Sequence, residues 1–98
     1  MSSAAFTVIA RARAKAGCEN RLRNELERLL TPTRSEAGCI NYDLHQSTDD
    51  PRDFLFHENW ETKGHLDAHL QSEHVKAVFA LLPDLLEGHA EITTWSRV

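Results

Sequence analysis

Three residues of the segment DFLFHENWE have the types and the spacing of a pocket wall. Side chains alternate along a β-strand, so Phe56, Glu58 and Trp60 share one face of it. A carboxyl group between two aromatic rings either pairs with an arginine in a core or is the ionisable group of a pocket, where burial raises its pKa. Both interpretations stay open. Glu58 is therefore a candidate catalytic residue, and Phe56 and Trp60 are candidate substrate contacts.

The histidines between residues 65 and 74 are a second group with the means to do chemistry. His69 lies with Leu66 and Leu70 near the inward stripe of a predicted helix. It is either a core histidine with a hydrogen-bond partner or an acid–base group, because an unperturbed pKa of about 6.5 suits proton transfer near neutral pH. We take His69 as a candidate catalytic residue and His74 as a candidate at the rim of the pocket.

Metal and cofactor motifs are not found in the sequence. His65 and His69 have a spacing that can hold a metal on a helix, but the residues between them do not form HExxH and no third ligand follows from the spacing. GxGxxG, a phosphate loop and a haem-attachment motif are all missing. We expect no metal, flavin, nicotinamide or haem cofactor.

The segment CINYDLHQS is a second strand whose register the sequence leaves open. Asn41 lies on one face of this strand and Tyr42 on the other. A pairing of residues 45 and 56 would place Asn41 across from Trp60, on the pocket side, whereas a slip of one residue would reverse the two faces. Asn41 is a candidate substrate contact under the first pairing.

In the rest of the chain, the spacing of the apolar residues changes between that of a strand and that of a helix. AFTVIARARA is a strand, and leucines then recur at helical spacing in an amphipathic helix from Cys18 that stops or kinks near Pro32. After the hairpin, Thr62 caps a second helix that breaks near Ser72, and AEITTWSRV is the last strand. The order β-α-β-β-α-β predicts an α+β, ferredoxin-like domain over residues 1–98, with its helices on one sheet face.

Charge and apolar pattern limit the partners. The net charge is −4, with no basic stripe, so nucleic acid is not expected. No apolar run reaches the ~20 residues of a membrane span, and MSSAAFTVIARAR lacks the pattern of a secretion signal, so we expect a cytoplasmic protein with free thiols. Ile9 and Trp95 fall on the sheet face without helices, and a second copy of the chain would cover them. We expect a homodimer.

Three segments, GCINYDLHQ, DDPRDFLFHENWE and HLDAHLQSEHV, resemble the antibiotic-biosynthesis monooxygenase superfamily and, within it, the small quinol monooxygenase branch. The resemblance covers nearly the whole chain and is most specific at Glu58-x-Trp60 and at His69 with His74 five residues on. It implies a ferredoxin-like domain that pairs into a dimeric α+β barrel, with a pocket between the sheet and the helices of each subunit.

The resemblance also implies an activity: oxidation of a small quinol-like or phenolic aromatic with dioxygen, without metal or flavin. Trp60 matches the pocket tryptophan of polyketide-oxidising members, while Phe56 stands where those members have asparagine. Deprotonation of a phenol gives an anion that reduces dioxygen directly, so a base such as His69, oriented by Glu58, and a dry pocket would suffice. His69 and His74 match a histidine pair of a sister branch of isomerases. The alternatives are therefore an isomerase, or a non-catalytic small-molecule-binding or stress-response dimer.

Overall fold

The computed structural model describes residues 5–98; residues 1–4, where the segment examined for a secretion signal begins, lie outside the described residues. The described residues form, in chain order, β1 (Phe6–Arg13), α1 (Glu19–Glu27), α2 (Leu30–Arg34), β2 (Cys39–Gln46), β3 (Asp53–Trp60), α3 (Lys63–Leu70), α4 (Glu73–Phe79), α5 (Leu82–Leu85) and β4 (Glu91–Ser96). This confirms the predicted α+β, ferredoxin-like order, with each helical region divided into shorter helices. None of the helices in residues 5–98 is long and apolar enough to cross a membrane.

The four strands of residues 5–98 make one antiparallel sheet in the order β2-β3-β1-β4. The register places Tyr42 beside Glu58, Glu58 beside Val8, and Val8 beside Thr94. Paired residues of antiparallel strands point to the same side, so these four form one row across the sheet. Tyr42, Glu58 and Val8 are buried, which identifies this side as the one that the helices cover.

The face of β3 predicted from its alternation is confirmed. Phe54, Phe56, Glu58 and Trp60 are all buried, and the residues between them are less so. Leucines and valines of the helices pack against this face and complete the core, which includes Leu22, Leu26, Leu29, Leu66, Val75, Val78, Leu82 and Leu85. The strand therefore carries one carboxyl group directly into an apolar core.

The helices end and begin near the proline and hydroxyl residues that the sequence predicted as breaks and caps. α1 ends at Glu27, because Pro32 has no N–H to donate to the carbonyl of Arg28, and the proline is accommodated in the first turn of α2. Thr62 caps α3, since its Oγ1 accepts from the backbone N–H of His65 at 3.2 Å. Ser72, with an extended backbone, separates α3 from α4. This break is what turns the side chain of His74 back toward the end of α3.

The register of β2 against β3 corrects the pairing considered from the sequence. Residue 45 pairs with Leu55 rather than with residue 56, so Tyr42 lies on the helix-covered side and Asn41 on the other. The physical reason is burial: this register packs the Tyr42 ring on Phe56, with centroids 4.6 Å apart, and keeps the amide of Asn41 out of the core. A bulge between Cys39 and Asn41 accompanies it.

The uncovered sheet face carries both predicted apolar residues and a polar row. Ile9 and Trp95 point to this face, and Trp95 is 58% exposed. Beside them, Thr7 donates to Oδ1 of Asn59 at 2.6 Å, and Asn59 donates to Oδ1 of Asn41 at 2.7 Å. Asn41 is therefore engaged on the face opposite to the pocket.

Candidate active site

His69 lies at the end of α3 with its ring turned into the core. It shares the inward stripe of the helix with Leu66, and both residues are buried. The imidazole packs on the indole of Trp60, with centroids 4.8 Å apart, and edge-on against Tyr42 at 5.4 Å. Two aromatic rings of the sheet thus fix the plane in which the imidazole lies.

Glu36 joins the two histidines of the candidate site. It lies in the turn between α2 and β2, and its Oε2 is 2.8 Å from Nδ1 of His69 and 2.7 Å from Nε2 of His74. A carboxylate oxygen only accepts, so both ring nitrogens carry the protons of these hydrogen bonds. His69 is therefore the Nδ1–H tautomer, and its Nε2 keeps a lone pair that no side chain of residues 5–98 engages.

Burial keeps the imidazole of His69 neutral. Desolvation lowers its pKa below the ordinary value, while the hydrogen bond and the charge of Glu36 act in the opposite direction and only partly offset it. A neutral ring with a free Nε2 is the form that can take up a proton. The imidazole is thus able to accept a proton near pH 7.

Glu58 is the second ionisable group of the core. It is 3% exposed, and its Oε1 accepts from the indole Nε1 of Trp60 at 2.8 Å. Burial is the main reason that its pKa rises to about 7, the indole bond opposes the rise, and the charge of Glu36 adds to it. The expectation that Glu58 orients His69 is wrong: the hydrogen bond of Glu58 goes to Trp60, and Glu36 occupies the orienting position.

An apolar cavity of about 40 Å³ lies between the sheet and the helices. Its walls include Tyr42, Phe54, Phe56, Glu58, Leu66, His69, Leu70 and Val75. Phe79 and Ile92, both partly exposed, stand where it reaches the surface. His69 and Glu58 thus bring groups able to exchange protons near neutral pH to the mostly apolar lining of this cavity.

The structure brings some of the sequence-predicted residues together and separates others. Phe56, Glu58 and His69 line the cavity, Trp60 is fully buried behind the ring of His69, and His74 reaches the site through Glu36. Asn41 lies on the opposite face.

Two features of the site were missed by sequence reasoning. Tyr42 was missed because the register was open, and Glu36 because nothing in the local spacing connects a turn residue to a helix 33 positions later. His65 is not paired with His69; its Nδ1 is 2.8 Å from Oγ1 of Thr62.

With this geometry in hand, the comparisons with known proteins identify the family. The family model described as antibiotic biosynthesis monooxygenase matches residues 5–81. The chain belongs to the antibiotic biosynthesis monooxygenase family. The crystal structure of PA3566 from Pseudomonas aeruginosa superposes with a TM-score of 0.94 at 34% identity, covering 100% of this chain and 98% of that one. The expected resemblance is confirmed.

Two proteins, one from Escherichia coli and one from Synechocystis, are similar to this chain in sequence. The Escherichia coli K12 protein named "Probable quinol monooxygenase YgiN" is 30% identical over an alignment 98 positions long, which covers 89% of this chain and 94% of that protein. An uncharacterised Synechocystis protein, sll1783, is 38% identical over 63 residues, which is 64% of this chain. The matched part spans 43% of the length of that protein.

Proposed function

We propose that this protein is a cofactor-independent monooxygenase that oxidises a small quinol-like or phenolic aromatic with dioxygen. The observation that carries the proposal is the state of His69, whose Nδ1–H is held by Glu36 while Nε2 is left as a base at an apolar cavity. Membership of the antibiotic biosynthesis monooxygenase family and the quinol monooxygenase name of the Escherichia coli relative support it.

The proposed reaction needs only the substrate, dioxygen and a proton acceptor. Nε2 of His69 removes a phenolic proton, and the resulting aryloxide gives one electron to dioxygen. The aryloxyl radical and superoxide combine into a carbon–oxygen bond, and the imidazolium returns its proton to form a hydroperoxide. Loss of water then leaves one oxygen atom in the product as a carbonyl, so all electrons come from the substrate and His69 ends as it began.

Glu58 is proposed to bind the substrate at a second oxygen. With a pKa of about 7 it is substantially protonated at neutral pH, and a protonated carboxyl can donate a hydrogen bond. The indole of Trp60 holds its other oxygen, so the direction of the carboxyl group is fixed before the substrate arrives. Should His69 prove structural, Glu58 is the remaining candidate base.

Substrate entry requires the cavity to widen. A space of about 40 Å³ holds on the order of three water molecules, which is less than an aromatic ring occupies. Phe79 ends α4 and is partly exposed, as is Ile92 on the edge strand β4. We place the entrance between these two side chains, with α4 moving outward as the ring enters.

The assembly proposed with this activity is a homodimer that pairs through the uncovered sheet face. Trp95, which is 58% exposed, and Ile9 lie on this face next to the hydrogen-bonded row of Thr7, Asn59 and Asn41. A large exposed indole beside a β-branched side chain is typical of an interface.

The decisive experiment is consumption of reduced quinones and phenols under air by the purified protein, followed by absorbance and by oxygen uptake. The wild type is compared with His69→Ala and Trp60→Ala, and with His89→Ala as control for an exposed histidine. We expect His69→Ala to lower the rate by ~10²- to ~10⁴-fold, which is the usual contribution of a general base. Circular dichroism checks the fold of each variant.

Two results would contradict this proposal. A folded His69→Ala protein with full activity makes His69 structural and moves the base to Glu58. A wild type that consumes no quinol or phenol favours the non-catalytic small-molecule-binding dimer.

A further inference from the structure

Three potential metal ligands meet at Glu36, and they come from three different elements. His69, in the last turn of α3, offers Nδ1, and His74, in the first turn of α4, offers Nε2. Glu36, in the turn before β2, offers Oε2. The three atoms lie within 4.8 Å of one another. The cluster is distinct from the spacing of His65 and His69 that the sequence offered, because His65 turns toward Thr62.

Two imidazoles and one carboxylate suit zinc and its neighbours among the transition metals. Such ions bind nitrogen and oxygen at about 2.1 Å, and three protein ligands leave a fourth position for water. Ligand atoms around a tetrahedral ion are about 3.4 Å apart, so the present separations of 2.7 and 2.8 Å must open by about 0.6–0.7 Å. Glu36 is 18% and His74 25% exposed, which gives an ion access from solvent.

A neighbouring hydroxyl group supports the cluster. Oγ of Ser72 donates to the backbone carbonyl of His69 at 2.6 Å and lies 3.3 Å from Nε2 of His74. It therefore fixes the end of α3 relative to the first turn of α4, which brings the two imidazoles to the same carboxylate. Groups of this kind orient metal ligands and tune their affinity.

We propose that Glu36, His69 and His74 form a reversible binding site for a divalent zinc-type cation, and that the bound ion switches off His69 as a base. A metal ion can bind Nδ1 of His69 only through the lone pair of that nitrogen. Nδ1 must therefore lose its proton when the ion binds. The ring proton moves to Nε2, and the proton on Nε2 of His74 gives way to the ion, so each imidazole binds the ion through an unprotonated nitrogen. Nε2 of His69 is then a hydrogen-bond donor and no longer a base.

The inhibitory half of this inference rests on the proposed function, whereas the binding half does not. The ion replaces two short hydrogen bonds rather than filling an open site, so we expect it to bind when added and to be removed by a chelator. This keeps the proposal compatible with an activity that needs no metal.

Binding is tested with Co²⁺ and Zn²⁺ on the purified full chain. Co²⁺ absorption reports the ligands, and Zn²⁺ displaces Co²⁺ to give its affinity. We expect one ion per chain in the wild type and in His89→Gln, and at least tenfold weaker binding in His74→Gln and Glu36→Gln. Equal affinity in all four proteins would overturn the site, as would a thiolate-to-cobalt band, which would assign the ion to Cys18 or Cys39.

The tautomer of His69 gives a readout that needs no variant to fold. Long-range ¹H–¹⁵N spectra of the wild type are expected to show Nδ1–H for His69 without the ion and Nε2–H with saturating Zn²⁺. An unchanged tautomer at saturation overturns the proposal, even if His74→Gln fails to fold.

The inhibitory half is tested separately on the wild type and on His89→Gln. Saturating Zn²⁺ should slow quinol consumption at least tenfold, with full recovery after chelation. Full activity with the site occupied refutes the inhibition. If the ion-free wild type consumes no quinol or phenol, the proposed function and the inhibition both fail, while the tautomer measurement still decides the site.

Discussion

Glu36 and His69 are joined by a hydrogen bond of 2.8 Å between Oε2 and Nδ1, although 33 positions separate them in the chain. This bond connects the turn before β2 to the end of α3 and selects the tautomer of a buried imidazole. Trp60 fixes the same ring from the sheet side. The position and the tautomer of the candidate base therefore depend on contacts between distant segments.

Replacing the carboxylate of Glu36 should change the pH profile as well as the rate. The bond and the charge of Glu36 both raise the pKa of His69. In Glu36→Gln that pKa falls further, and because the base works only when neutral, the acidic limb of kcat/KM moves to lower pH. We expect the rate at the optimum to fall at least tenfold, since an orienting carboxylate contributes between ~10- and ~10⁴-fold. Glu73→Gln, at an exposed acid next to His74, is the control; identical profiles for the two variants would refute the role of Glu36.

Glu58→Gln should remove a pH dependence of stability. The folded-state pKa of Glu58, about 7, lies above its usual value of 4.5, so the folded state binds more protons between these values. Stability from this group is complete below pH 4.5 and is lost as the pH rises toward 7, by about 3 kcal/mol. We expect the urea unfolding free energy of the wild type, relative to that of Glu58→Gln, to decrease between pH 5 and 7. A constant difference would show that Glu58 ionises normally.

Gly38→Ala should destabilise the protein more than Gly17→Ala. Both glycines have positive φ, at +81° and +88°, which costs an L-residue about 1–2 kcal/mol. A Cβ at Gly38 would also overlap the ring of His65, whereas nothing lies within 4 Å of a Cβ at Gly17. We expect an additional loss of about 1–3 kcal/mol at Gly38 from the forced shift of His65. In the double variant Gly38→Ala, His65→Gly, which removes the His65 side chain including its Cβ, this additional loss, measured relative to His65→Gly alone, should largely disappear; if it does not, the overlap is not its cause.

Trp95→Glu should dissociate the proposed homodimer without unfolding the chain. Trp95 is 58% exposed, so its replacement leaves no hole in the core of one subunit, whereas a charge in an apolar interface without a partner is costly. Sedimentation equilibrium at micromolar concentration should give twice 11.1 kDa for the wild type and 11.1 kDa for the variant. Ala77→Glu, on the exposed surface of α4, adds the same charge and should remain dimeric. A wild type that sediments as a monomer would refute the dimer.

Local patterns were sufficient for the elements and for one wall of the site. The alternation of Phe56, Glu58 and Trp60 predicted their shared face, because side chains on a strand have a period of two whatever the strand pairs with. The helical spacing that turned His69 inward and the capping by Thr62 were correct for the same reason: each depends on residues a few positions apart. The motifs carried by these segments also identified the family.

The contacts that give these residues their chemistry were decided by the tertiary structure alone. Whether Tyr42 or Asn41 faces the core depends on a register that the burial of a whole strand sets, and the strand sequence is compatible with either. The partner of His69, Glu36, and the burial of Glu58 beside Trp60 follow from how α2, α3 and the sheet pack together. Residue types and periods therefore determined which groups enter the core, whereas the packing of distant segments, formed only on folding, buried Glu58 and His69 deeply enough to shift their pKa values and placed Glu36 where it sets the tautomer of His69.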